Sequence, residues 1–251
     1  MSSPTRKPDF SRLASSYDRV RPVDDNWWEL FRLVDREAGL EGRRVLDVGC
    51  GTGRLEAALA GRARVWGVDA EPEMLEVARR NAPGATFKVG RAEALPFKDG
   101  WFERAVMWLS VHLVDRPSAF AEARRVLTPD GRLAVATFDP SYFSVFWLNT
   151  LFPSMEAVDR ARFPTAEELE TELTGAGFAE VRLARLSQTD SLGREQGLER
   201  IRERHISTFD LISEDEYEAG LARAERELPE QIEYRVEWLV AVADAAVRAD
   251  G

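Results

Sequence analysis

The chain carries little with which to cross-link itself or hold a metal. Cys50 is its only cysteine, so no intrachain disulfide can form and a structural thiolate zinc site is excluded. Histidine is equally scarce, at His112 and His205, and no metal site is expected. Positive charge is not in excess: the formal net charge is -10, which disfavours a general basic surface for nucleic acid. No apolar run approaches the roughly 18 residues expected of a membrane span. The best stretch, residues 238–247, is short and contains Asp244. The opening MSSPTRKP lacks the apolar segment of a signal peptide. No internal repeat or low-complexity block is present. These absences point to a soluble cytoplasmic protein without a nucleic-acid or membrane partner.

The 251 residues suit one large domain, or one domain with an insertion, and 44% apolar content is globular. Residues 1–9 read as a loose tail. Trp27, Leu30, Phe31, Val34 and Ala38 fall at helical spacing, with Gly39 as the stop. Strands and helices then alternate. Strands are expected at 43–48, 63–68, 85–90 and 104–109. Helices are expected at 54–61, from Pro72 to Asn81, and at 117–127. TPDG, residues 128–131, reads as a turn before the strand RLAVATF. This rhythm argues for a parallel sheet covered by helices on both faces.

After Phe138 the pattern changes. Residues 139–164 are aromatic-rich, Thr165 and Glu168 make a capping box for a helix over 166–174, and residues 178–187 are strand-like. Residues 190–229 are charged and mostly helical, with Ser213 and Glu216 as a second capping box. The last segment, from 232, reads as a strand, with a helix over 235–248 as the competitor. The expected organisation is a tail and lid at 1–25, a main domain at 26–189 and 230–251, and a helical substrate cap at 190–229.

VLDVGCGTGR, residues 45–54, places three glycines directly after a strand. A strand, a glycine turn and a helix set free backbone N–H groups beside a cavity at the sheet's C-terminal edge. Gly49, Gly51 and Gly53 are spaced G-x-G-x-G, and Arg54 stands where a dinucleotide loop needs its last glycine. The G-K-[ST] ending of a Walker loop is missing too. Asp69 ends the second strand, 22 positions after Asp47, where a carboxylate can accept hydrogen bonds from both ribose hydroxyls. A ribose without a pyrophosphate is what S-adenosylmethionine offers, and Asp47 can favour its ammonium.

Five segments in order resemble the class I S-adenosylmethionine-dependent methyltransferases, in the group that includes the quinone-biosynthesis C-methyltransferases. They are FSRLASSYDRVRP (10–22), VLDVGCGTGRL (45–55), VDAEPEMLEVAR (68–79), GRAEALPFKDGWFERAVMWLSVHLV (90–114) and EARRVLTPDGRLAVATF (122–138). The resemblance implies a Rossmann-like, doubly wound, seven-stranded, mostly parallel α/β sheet with an inserted helical cap. It implies S-adenosyl-L-methionine as cofactor and S-adenosyl-L-homocysteine as product. Gly49, Cys50 and Gly51 would approach the methionine part with Asp47. Asp69 would hold the ribose with Ala70 beside it, and Met74 would pack near the adenine. Ala92 would present its N–H to the adenine, and Leu109 would close under the cofactor. Tyr17 and Arg21 would belong to a lid. The family's usual Asp before that alanine is Arg91 here, which cannot accept a hydrogen bond, so Glu93 is the candidate substitute.

Methyl transfer needs a positioned nucleophile in a dry pocket, and a base only if the nucleophile arrives protonated. His112, just past the fourth strand, is the candidate base; the other reading is a packed loop histidine. His205 is expected at the surface of the charged insertion. Trp108, Tyr142, Phe143 and Trp147 either line a substrate pocket or pack as core. LERIRERHI, residues 198–206, is a solvated helix face or meets an anionic substrate. Two other functions share such a sheet: a nicotinamide-dependent oxidoreductase, against which Arg54 argues, and a non-catalytic cofactor-binding module. After the fourth strand the chain reads LSVH rather than the PPY-type motif of nucleic-acid methyltransferases.

Overall fold

The computed structural model describes residue 10, residues 13 and 14, and residues 16–245. The tail expected at 1–9, and anything beyond 245, lie outside the described residues. Seven strands form one sheet: β1 Arg44–Val48, β2 Arg64–Asp69, β3 Thr86–Val89, β4 Phe102–Trp108, β5 Leu127–Phe138, β6 Glu180–Gly193 and β7 Gln231–Asp244. Their order is β3-β2-β1-β4-β5-β7-β6. The first five run parallel, and β7 lies antiparallel between β5 and β6. The chain reverses its direction of winding between β1 and β4, which is where such sheets open a ligand crevice.

The long apolar strands follow from burial on both faces. Along β4, Ala105 and Met107 enter one core with Phe120 and Leu173, while Val106 enters the other with Leu30 and Val34. β5 alternates the same way, Leu133 and Val135 against Ala134 and Ala136. The helices covering these faces are α2 Asp25–Ala38, α3 Arg54–Ala58, α4 Pro72–Asn81, α5 Arg116–Val126 and α7 Ala166–Gly175. The capping box on Thr165 and Glu168 is formed as expected. No helix of the described residues is long and apolar enough to cross a membrane.

Three local expectations are corrected. TPDG does not break the strand: β5 runs through it, and a register shift between Phe102 and Arg104 absorbs the extra residues as a bulge. The helix after the glycine loop stops at Ala58 rather than 61. Ser213 accepts from the Glu216 N–H, but the Glu216 carboxylate is bonded to the Ser154 N–H and hydroxyl instead. The final segment is the expected strand, running to Asp244; buried between two strands, it is apolar on both faces, which is why a helix competed with it.

β6 and β7 continue past the sheet as a long hairpin, with Leu192 opposite Ile232. Those two side chains join a separate apolar cluster with Phe152, Met155, Ile201 and Tyr217. The cluster is built by α6 Met155–Arg160, α8 Arg194–Arg202 and α9 Glu214–Glu227. The cap therefore draws on residues near 148–155 as well as on the segment after 190. A short helix, α1 Tyr17–Val20, ties the cap to the glycine loop: Arg19 pairs with Glu199 and Glu203 of the cap.

Gly220 of α9 packs against Phe152, and a Cβ there would overlap that buried ring and lie 2.9 Å from the Leu151 carbonyl. Gly220→Ala would gain up to about 1 kcal/mol of helix propensity. Overpacking costs about 1–3 kcal/mol. The backbone carbonyl cannot swing away, so the overlap dominates. Thermal melting should show a lower midpoint for Gly220→Ala; an unchanged or higher midpoint would contradict this packing.

Candidate active site

A cavity of about 280 Å³ opens at the C-terminal edge of β1 and β4. Its floor is the glycine loop. Gly49 and Gly51 have φ of 78° and 53°, left-handed values that favour glycine. A Cβ on Gly49 would come within 2.5 Å of the Ser110 Cβ, while one on Gly51 would meet nothing within 4 Å. Gly49 is needed by the packing below the loop, and Gly51 leaves open space above it. The Gly51 N–H donates to the Asp69 carboxylate at 2.8 Å, and the Glu71 N–H donates to its other oxygen at 3.0 Å. These bonds fix the end of β2 against the loop.

Asp47 lies beneath the loop, 2% exposed, and its Oδ1 has no hydrogen-bond partner. Its neighbour across the ladder is Gly67, and the missing Cβ there makes room for the Glu56 carboxyl and for Cys50, whose Sγ would lie 2.7 Å from a Cβ. Both Glu56 oxygens are also without partners. Burial, and then the charge of Asp69, push the Asp47 carboxyl up to about 8. Burial and the nearby Asp47 push Glu56 upward as well, so Glu56 holds a proton. Burial and these same acids push the Cys50 thiol up, so it is no nucleophile. The Gly49 and Cys50 N–H groups donate to the Val68 carbonyl, so the loop offers close backbone approach rather than free donors, and the orphaned carboxyl beneath it fits the ammonium of an amino-acid moiety.

Tyr17 and Arg21 face this cavity from the N-terminal side. Asp18 holds them there, accepting from the Thr52 hydroxyl at 2.7 Å, Arg54 Nε at 2.8 Å and the Asn81 amide at 2.8 Å. Arg54 also lies over the Tyr17 ring and donates to the Arg21 carbonyl. The residue that spoils a dinucleotide loop is thus the anchor of the lid.

The far walls are aromatic. Trp108 stacks on Trp27 with centroids 5.2 Å apart, and Tyr142, Phe143 and Trp147 line the same space. Leu109 follows Trp108 with φ of 50°, rare for leucine. His112 sits in a turn after β4 and stacks on Phe163 at 4.0 Å. Its Nδ1 is buried without a partner. Burial, and then Arg162 and Arg21, hold it well below the ordinary imidazole range, so it is neutral near pH 7.

The cavity thus brings together Asp47, Gly49, Cys50, Gly51, Tyr17 and Arg21 with Leu109, His112 and the four aromatic candidates. Asp69, Ala70, Met74, Ala92 and Glu93 do not line it. Met74 is buried under Leu13 and Ala14 of the N-terminal segment. The Glu93 carboxylate accepts the Asp115 N–H at 3.0 Å and pairs with Arg91 at 3.3 Å. His205 corrects the sequence reading: it is 7% exposed and on the cavity wall, because the β6–β7 hairpin folds the cap back over the loop. Arg200 lines the cavity too, and Leu198 and Ile201 are core, so residues 198–206 are not a solvated face throughout. Asp159, Gln188 and Tyr234 complete the wall; no motif marks them, and only the fold brings them here.

Comparison with known proteins agrees with this geometry. The sequence model of the family described as "Methyltransferase domain" matches residues 45–131. The chain is 36% identical over 190 residues to a malonyl-[acyl-carrier protein] O-methyltransferase of Geobacter sulfurreducens, covering 68% of this chain and 69% of that one. It is 30% identical over 207 residues to the ubiquinone/menaquinone biosynthesis C-methyltransferase UbiE of Citrifermentans bemidjiense, covering 69% and 87%. Among solved structures, the geranyl diphosphate C-methyltransferase of Streptomyces coelicolor, bound to S-adenosyl-L-homocysteine, superposes with a TM-score of 0.57 at 18% identity, over 87% of this chain and 76% of that one.

The raised Asp47 carboxyl gives a signed pH dependence. Its ordinary value is 3.8 and its folded value about 8. Between these the folded state keeps a proton that the unfolded state has released, so stability falls as pH rises through that window. Urea unfolding of the ligand-free protein should show this decline from about pH 4 to pH 8, and Asp47→Asn should lack that part of it. Parallel pH profiles for the two proteins would contradict the assignment.

Proposed function

The chain belongs to the class I S-adenosylmethionine-dependent methyltransferases, in the UbiE-like group, and we propose that it methylates a small aromatic acceptor held between the cap and the glycine loop. The observation that carries this reading is that one cavity joins the orphaned Asp47 and the glycine loop to the Trp108, Tyr142, Phe143 and Trp147 walls.

Bound S-adenosylmethionine supplies an electrophilic methyl and a neutral thioether leaving group. The chain's contribution is placement. Asp47 would take the ammonium, Gly49, Cys50 and Gly51 would let the backbone approach the methionine part, and Arg21 and Tyr17 would close above. Asp69 and Ala70 take the ribose. Met74 and the Ala92 N–H are the adenine side, and Glu93 braces that segment through the Asp115 N–H. Leu109 supports the methyl from below. The aromatic walls exclude water and hold the acceptor ring at near-attack distance. Neutral His112 would accept the proton of an acceptor hydroxyl.

A positioned base typically contributes about 10²–10⁴-fold in rate. With methyl-labelled S-adenosylmethionine and a panel of phenols and hydroxyquinones, the wild type should label an acceptor. His112→Gln should lower kcat on it by about 10²-fold or more and leave S-adenosylhomocysteine affinity intact. Equal turnover would remove His112 from proton transfer. No transfer to any aromatic acceptor by protein that binds S-adenosylhomocysteine would contradict the acceptor class.

A further inference from the structure

Arg200 lines the cavity from α8, half-buried, and its guanidinium has little to hold. Its one side-chain hydrogen bond among the described residues runs from Nη1 to the Tyr234 hydroxyl at 3.4 Å. No carboxylate among the described residues pairs with it within 4 Å. Its neighbours in the same segment are satisfied: Arg194 donates to the Leu228 and Glu225 carbonyls, Arg202 pairs with Glu225, and Arg204 with Glu214.

The other acids on the same walls are engaged or lie elsewhere in the cavity. Asp190 accepts from the Tyr234 hydroxyl at 2.8 Å and the Ser191 N–H at 2.7 Å. Asp159 accepts from Arg162 and the Thr208 hydroxyl, each at 2.7 Å. Asp24 caps α2 through the Trp27 N–H. Asp47 sits beneath the glycine loop. A half-buried guanidinium without a counter-ion in an aromatic cavity is costly, and a planar oxyanion is the group that matches its donor fork.

His205 neighbours Arg200. Its Nδ1 lies 2.8 Å from the Arg200 carbonyl, which can only accept, so Nδ1 carries the hydrogen and fixes the backbone from which the guanidinium extends.

We propose that the methyl acceptor carries a carboxylate and that Arg200 is the residue that binds it. This deepens the small-acceptor reading above and rests on it. Arg21 is left to the cofactor side, so the two cations have separable effects.

The test uses protein saturated with S-adenosylhomocysteine and two matched probe pairs: 4-hydroxyphenylacetate with 4-hydroxyphenylacetamide, and salicylate with salicylamide. Calorimetry should find at least one acid bound about tenfold or more tightly than its amide. Arg200→Gln should reduce that acid to the affinity of the amide, and Arg200→Lys should retain part of the preference. Unchanged S-adenosylhomocysteine affinity in both variants shows that they are folded. Amides binding as tightly as acids, a preference that survives Arg200→Gln, or no binding by any of the four probes would overturn the proposal. Failure of S-adenosylhomocysteine itself to bind would instead overturn the cofactor reading on which it rests.

Discussion

The site is organised around a carboxylate that the protein leaves without a partner. Asp47 is buried under the glycine loop, beside a protonated Glu56, in space that Gly67 leaves vacant. Burying a charge is unfavourable unless a counter-charge arrives, and none of the described residues supplies one. The surroundings then make sense as a receptor for a cation. The loop backbone is open above Gly51, Asp69 fixes the loop's outer edge, and the lid is pinned by Asp18. Burial and their mutual proximity push both the Asp47 and Glu56 carboxyls upward, so the pair resists carrying two charges until a counter-charge arrives.

A second division of labour lies across the cavity. The sheet supplies the cofactor side through local geometry at the ends of β1, β2 and β4. The acceptor side comes from chain segments far apart in sequence, which the β6–β7 hairpin carries beyond the sheet edge. One apolar cluster of cap helices holds this wall together, and Arg19 fastens it to the lid. This chain's cap presents aromatic faces and one guanidinium without a carboxylate partner among the described residues.

How much was legible in the sequence follows this division. The loop, Asp47 and Asp69 could be read because their roles depend on neighbours within about one strand-turn-helix unit. The helix from Pro72 to Asn81 was legible for the same reason, with proline at its first position. Arg200 and His205 were not, because a charged helical segment looks the same whether it faces water or a cavity. Only the hairpin register decides which. The TPDG bulge was hidden by tertiary context: Leu127 and Arg132 on either side of it both pair with β4, so the turn-like residues interrupt a ladder rather than separate two elements. Arg54 was read for what it excluded, and its contact with Asp18 shows what it contributes.

The most direct measurement is a calorimetric titration of the wild type and Asp47→Asn with S-adenosylhomocysteine and with 5′-methylthioadenosine, which lacks the amino-acid part. The account predicts that the wild type binds S-adenosylhomocysteine much more tightly than the shorter nucleoside, and that Asp47→Asn loses most of that difference while the nucleoside's own affinity holds. Equal binding of the two ligands by the wild type, or a difference untouched by the substitution, would contradict the claim that Asp47 is the counter-charge around which the site is built.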